Sequence, residues 1–172
     1  MAIHPVVITG EPVLHRRAEP VNEVTEEIRQ LVADMIETNR AAHGAGLAAP
    51  QIGVGLRIFV WSMANDDGVP SEGHIINPYV RSSKPPEGRP DPDEESEGCL
   101  SVPGEHYPLR RGERSGVSGI DVDGHPVEFV ATGWFARCMQ HEYDHLNGFL
   151  YVDRLDAAQS RKARKAIKKA GC

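Results

Sequence analysis

The sequence predicts an α+β fold: antiparallel strands packed around one central helix, another helix near the N-terminus and a third on the surface at the C-terminus. Two stretches, 26–42 and 132–147, carry apolar residues at helical spacing. Between them lie short β-branched and aromatic runs cut by proline and glycine, two of them joined by Asp123-Gly124, a strong hairpin-turn signal. The order lacks the regular strand–helix alternation of a parallel sheet.

Each element has a local reason. The opening, 8–21, is broken by Gly10, Pro12 and Pro20 and reads as extended and irregular. Ile28, Leu31, Val32, Met35 and Ile36 form the core-facing stripe of a helix from Glu26 to Ala42. Thr25 is its N-cap, Glu26 and Glu27 favour its first turn, and Gly44 and Gly46 stop it. The small residues from Gly44 to Gly53 let the backbone pass close to a ligand or another strand. Arg57 to Trp61 reads as a buried strand and Ile75-Ile76-Asn77-Pro78 as a short one closed by its proline. The proline-rich, acidic run 82–96 is a surface loop. Strands follow at 116–122 and 127–131; Thr132 caps the next helix and Asn147-Gly148 ends it. Leu150-Tyr151-Val152 continues as a short apolar segment. Asp156-Ala157-Ala158-Gln159 opens the last helix as a capping box, and Ala163, Ile167 and Ala170 give it only a thin apolar stripe, which keeps it on the surface.

With 172 residues, 40% hydrophobic and 26% charged, the chain is sized for a single domain over 1–172 and holds no apolar run long enough to cross a bilayer. Its N-terminus lacks the basic and apolar regions of a signal peptide, so a cytoplasmic location is expected, with no membrane partner. The three cysteines cannot all pair within the chain, which fits a reducing compartment and frees Cys99 or Cys138 for chemistry; Cys172, the last residue, is not positioned for prenylation. Net charge is −6, yet Arg161, Lys162, Arg164, Lys165, Lys168 and Lys169 all fall in the last twelve residues. Without those six, 13 basic residues face 25 acids, so a basic tail at 156–172 rides on an acidic body. A polyanionic partner is expected for the tail alone, or the tail is simply solvated surface.

The chemistry concentrates in Gln140-His141-Glu142-Tyr143-Asp144-His145, which contains H-E-x-x-H. On a helix His141 and His145 sit one turn apart, spaced for one metal ion, and Glu142 can take a proton from a water that the metal activates. Trp134, Cys138, His141 and His145 share one face and Phe135, Met139, Glu142 and Leu146 the adjacent one, so the helix is central and buried rather than a solvated one bearing the motif by chance. Two ligands rarely suffice for a catalytic metal. Cys99, in Glu97-Gly98-Cys99-Leu100-Ser101, is the strongest third candidate, because a thiolate suits a borderline-soft divalent ion. By spacing alone it is equally a small buried hydrophobe.

Gly44-Ala45-Gly46-Leu47-Ala48-Ala49-Pro50-Gln51, Glu97-Gly98-Cys99-Leu100-Ser101 and Gln140 to His145 together resemble the three signature motifs of the peptide deformylases, in order and interval. The opening Glu11-Pro12-Val13-Leu14 to Pro20-Val21 and the first helix resemble that family too, so the likeness covers nearly the whole chain. It implies a hydrolase that removes the formyl group from N-terminal formylmethionine of nascent polypeptides and releases formate. By the same likeness Cys99, His141 and His145 are the metal ligands, Glu142 the general acid/base, and Gln51 and the Leu100 N–H the oxyanion donors. Gly44, Ala45, Gly46, Gly98, Trp134, Arg137 and Cys138 are the expected substrate contacts. Ala45 stands where many members have a larger aliphatic residue and His106 where an arginine is frequent, which bears on pocket shape rather than chemistry. The cofactor implied is one divalent metal ion, Fe2+ in the native enzyme, with Zn2+, Ni2+ or Co2+ accepted by some members. The basic C-terminal helix is expected to meet ribosomal RNA, and no DNA partner is expected. A zinc peptidase and a catalytically retired binding module are the competing readings; Cys99 in its E-G-C-L-S setting opposes the first, and the complete set Gln51, Cys99, His141, Glu142 and His145 opposes the second.

Overall fold

The computed structural model describes residues 2–64 and 68–170; Cys172 lies outside them. Helix α1 spans Glu26–Ala41, α2 Gly133–Leu146 and α3 Ala157–Ala170. Strands β1 (Gly46–Ala48), β2 (Ile58–Ala64), β3 (Pro70–Ser82), β6 (Arg114–Ile120) and β7 (Pro126–Thr132) form one antiparallel sheet in the order β1-β2-β3-β6-β7. Strands β4 (Ser96–Cys99) and β5 (Val102–Pro108) make a separate hairpin. The expected α+β architecture is present, with α2 packed against all five strands of the larger sheet.

Strand β2 explains why two helices can share that sheet. Its side chains alternate between faces: Phe59 and Trp61 join the core under α2 with Val117, Ala136, Met139 and Leu146. Ile58 and Val60 point the other way and pack with Val32, Met35, Leu47 and Ile76 under α1. Burial on both faces accounts for the uninterrupted apolar run Ile58-Phe59-Val60-Trp61. A third cluster, with Tyr107, Leu109, Leu150, Tyr151 and Ala163, fixes the β4–β5 hairpin to the C-terminal segment.

Several boundaries differ from expectation for identifiable reasons. Helix α1 stops before its glycines: His43 itself takes the left-handed conformation (φ 54°), and the N–H of Gly44 returns to the Asn39 carbonyl at 2.9 Å. Thr25 is the N-cap residue but makes no side-chain cap bond to the helix. Pro78 does not end its strand. Asn77 adopts φ 52° and the pairing of β3 with β6 shifts between Ile76 and Tyr79, a bulge in which a residue without an N–H is tolerated. The Asn77 amide is held by the Val21 N–H and carbonyl, both at 2.8 Å. Helix α3 begins as its cap predicts, with the Asp156 carboxylate accepting the N–H groups of Ala158 and Gln159. Ala163 alone is buried on it and Ile167 packs at the edge.

Candidate metal centre

The site forms where α2 meets two segments remote in sequence. Helix α2 carries His141, Glu142 and His145, the β4–β5 hairpin Cys99, and the 3-10 turn Ala49–Ile52 after β1 carries Gln51. The ring Nε2 atoms of His141 and His145 lie 3.2 Å apart, and the Cys99 Sγ is 3.3 Å from His145 Nε2. All three ligand atoms lie within 4.8 Å of one another. Nitrogen and sulfur donors on one tetrahedral ion stand about 3.3–3.6 Å apart, given bond lengths of about 2.0 and 2.3 Å. The donor set and its spacing therefore fit a single divalent ion. Two N–H groups also point at the sulfur, from Ser101 at 3.4 Å and Gln51 Nε2 at 3.7 Å.

The surrounding residues orient these donors. Glu97 accepts a bond from His141 Nδ1 at 2.6 Å, which directs Nε2 toward Cys99. Glu97 is in turn held by Arg111 through Nε at 2.9 Å and Nη2 at 2.7 Å. Burial alone would raise the Glu97 pKa, but the bonds from Arg111 and His141 outweigh it and hold the carboxyl at about 2. Burial pushes the His145 pKa well down and so favours the neutral imidazole that a metal ligand must be. Glu142, buried without a cation to bond, is pushed up to about 7, and its Oε2 makes no hydrogen bond within the protein. An unpaired buried carboxylate oxygen beside three metal donors is a group awaiting a polar ligand.

Gly46 allows this approach. A Cβ on it would fall 2.5 Å from Glu142 Oε1, so any side chain at 46 displaces either β1 or the carboxylate. Gly98 plays the same part for His106, whose ring occupies the space of a Cβ. The Gln51 side chain is fixed at both ends: Oε1 accepts the Ala48 N–H at 2.9 Å, and Nε2 faces Cys99 and the Ser101 hydroxyl, the latter at 3.3 Å.

The donors open onto a cleft of about 470 Å3, in the range of small-ligand sites. Gly44, Ala45, Gly46, Gln51, Gly98, Cys99, Leu100, Trp134, Arg137, Cys138, His141 and Glu142 all line it; His145 lies behind them, 1% exposed. The first turn of α2 departs from full burial, since Trp134 is 55% exposed at the cleft rim. Its ring lies over the Arg137 guanidinium at 4.5 Å, and Arg137 donates to the carbonyls of Glu95 and Leu109. Sequence reasoning gave no role to Glu97, Arg111, Asp144 or Ser101. The only signal was adjacency, Glu97 two residues before Cys99 and Asp144 next to His145. A second acidic and histidine cluster, Asp121, Asp123 and His125, is an exposed turn in which Asp121 accepts the N–H groups of Asp123 and His125.

The family profile for polypeptide deformylase matches residues 3–161. The chain is 48% identical to the peptide deformylase of Mycolicibacterium paratuberculosis over 98% of its own length and 89% of the relative's. It is 49% identical to the peptide deformylase of Rhodococcus opacus, covering 99% of the chain and 89% of that protein. The crystal structure of peptide deformylase from Ehrlichia chaffeensis superposes with a TM-score of 0.84 at 34% identity, covering 99% of this chain and 97% of that one. With these matches and a Cys-His-His donor set on the deformylase fold, the chain belongs to the polypeptide deformylase family, the metallo-hydrolases that remove the formyl group from N-terminal formylmethionine.

Proposed function

We propose that the chain deformylates formyl-methionyl nascent peptides as a single catalytic domain, with one divalent ion on Cys99, His141 and His145. The carrying observation is the convergence of these three donors with the unpaired Glu142 carboxylate in one cleft. When bound, the ion would lower the pKa of a water and polarise the formyl carbonyl. Glu142 takes the proton from the attacking water, with a pKa near 7 suited to both accepting and releasing it, and delivers it to the departing methionine nitrogen. The Gln51 amide N–H and the Leu100 backbone N–H donate to the oxyanion as the formyl carbon becomes tetrahedral. Formate and a peptide with a free amino terminus leave.

Substrate recognition falls to the remaining cleft residues. Gly44, Ala45 and Gly46 offer backbone for an extended peptide to pair with, Gly98 borders it opposite, and Trp134, Arg137 and Cys138 line the methionine side-chain region. Fe2+ is the native ion by family likeness, with Zn2+, Ni2+ or Co2+ as replacements. The basic face of α3 meets ribosomal RNA, an association that weakens steeply with salt. Formate release from formyl-Met-Ala-Ser by anaerobically prepared protein, with metal content measured on the same sample, tests the whole reading; activity without metal refutes it. Gln51→Leu should keep the fold and lower turnover by about 10²–10³. Unimpaired turnover would remove Gln51 from the scheme.

A further inference from the structure

Among the described residues that line the cleft, Arg137 is the only arginine or lysine. Its side chain, 12% exposed, reaches from α2 to the base of the β4–β5 hairpin, where Nη2 donates to the Glu95 carbonyl at 2.8 Å and the Leu109 carbonyl at 2.9 Å. Both acceptors are neutral. The Glu95 carboxylate is 3.9 Å from Nη1, beyond hydrogen-bond reach, and its oxygens already hold Arg110 through Nη2 at 2.6 Å and Nε at 2.9 Å. Arg137 Nε is buried and makes no hydrogen bond. The electrostatics agree: burial holds the Arg137 pKa below the usual arginine value, whereas the bond to Glu95 raises that of Arg110. The Trp134 end of the cleft therefore carries a guanidinium with donors that its own chain leaves unpaired. Such a donor is costly unless a ligand supplies its acceptor. Methionine does not, because a thioether sulfur is a weak acceptor, and Met63, Trp134 and Cys138 already offer it soft apolar contacts. Its oxidation product, methionine sulfoxide, carries a polar oxygen on the same unbranched side chain.

We propose that the chain also deformylates peptides whose N-terminal formylmethionine has been oxidised to the sulfoxide, with the sulfoxide oxygen accepting a hydrogen bond from Arg137. This rests on the deformylase reading and on its placement of Arg137 beside the methionine side chain. The chain does no redox chemistry on this substrate. Water adds to the formyl carbon, the C–N bond breaks, and formate and a free amine leave with the sulfur–oxygen bond untouched. Arg137 is thus a specificity-determining residue. A wholly apolar pocket would strip water from the sulfoxide oxygen and return nothing, whereas a cation with spare N–H groups returns a charge-assisted hydrogen bond.

The test gives metal-loaded full chain a mixture of formyl-Met-Ala-Ser and its methionine sulfoxide counterpart, each sulfur epimer in a separate mixture, and quantifies both peptide products. Competition within one sample yields the ratio of the two kcat/KM values, from which the fraction of active protein cancels. In the unmodified protein the better epimer should reach about a tenth of the thioether value or more, and the other should be poorer by about 3-fold or more, since a fixed donor suits one oxygen position. In Arg137→Met the ratio for the better epimer should fall about 10-fold, as loss of a charge-assisted hydrogen bond implies. A ratio below about a tenth for both epimers, epimers that differ by less than about 3-fold, or a fall of less than about 3-fold in Arg137→Met each overturns the proposal. The epimer comparison needs no variant and so decides even where Arg137→Met does not fold. Failure of the deformylase reading shows separately, as no formate release from formyl-Met-Ala-Ser alone.

Discussion

Replacing Arg111 by leucine probes the buried support of the metal centre. The Arg111 and Glu97 side chains are each 8% exposed, and Arg111 also holds Asp144 at 2.7 Å. Holding the Glu97 carboxyl at about 2 rather than its ordinary 4.5 corresponds to about 3 kcal/mol of folding stability at pH 7. Breaking a buried pair by removing one partner typically costs about 3–5 kcal/mol. His141 supplies part of that shift and still bonds Glu97 in Arg111→Leu, as Arg154 still bonds Asp144, so the expected loss is that of the broken buried pair, about 3 kcal/mol. For a chain of this size that is a fall in Tm of about 6–12 °C. The sign with pH is fixed. A carboxyl depressed in the folded state contributes fully above about pH 4.5, and the contribution fades as pH falls toward about 2. The gap between variant and unmodified protein should accordingly narrow below about pH 4.5. Urea unfolding of both proteins after chelation, at pH 7 and down to about pH 3, keeps metal release out of the comparison. A loss under about 1 kcal/mol at pH 7, or a gap that stays constant into acid, would refute the reasoning.

Gly46→Ala should lower kcat by about 10² while leaving the protein folded, because its methyl displaces the Glu142 carboxylate; kcat within 2-fold of the unmodified value would show that β1 yields instead. Chelation should abolish formate release and lower Tm, and re-addition of Fe2+ or Zn2+ should restore both, since the ion joins α2 to the β4–β5 hairpin; a Tm unchanged by chelation would contradict this. His74, on β3, has its pKa lowered by burial, and its Nε2 accepts the Val122 N–H at 3.1 Å. The unfolded chain therefore takes up this proton first, so stability falls as pH drops below about 6.5. His74→Gln should flatten that part of the pH–stability curve, and an unchanged slope would exclude the histidine as its source.

How much was legible depended on range. Helix α2 could be read directly, because its start after Thr132, which holds the N-cap position without a side-chain cap bond, its stop at Asn147-Gly148 and the spacing of His141, Glu142 and His145 are all local. The β6–β7 hairpin was readable for the same reason, through its Asp123-Gly124 turn. Strand β3 was not, since its passage through Pro78 relies on Asn77 being held by Val21, a contact between residues 56 apart. Glu97 illustrates the same limit within the site. Nothing near it indicates that its partners are Arg111 and His141.

By itself the sequence determined the fold class, the two histidines and glutamate of the metal helix, and, through three motifs at their intervals, the family. Periodicity and spacing are short-range properties of a chain, so they survive without coordinates. Only the tertiary structure set the Cys99 sulfur 3.3 Å from His145 Nε2 and laid Gly46 against Glu142. It alone showed a buried Arg111 linking Glu97 to Asp144. Those relations arise from packing segments 14 to 96 residues apart into one low-dielectric site, where distance and burial set which charges meet and what each carboxylate's pKa becomes.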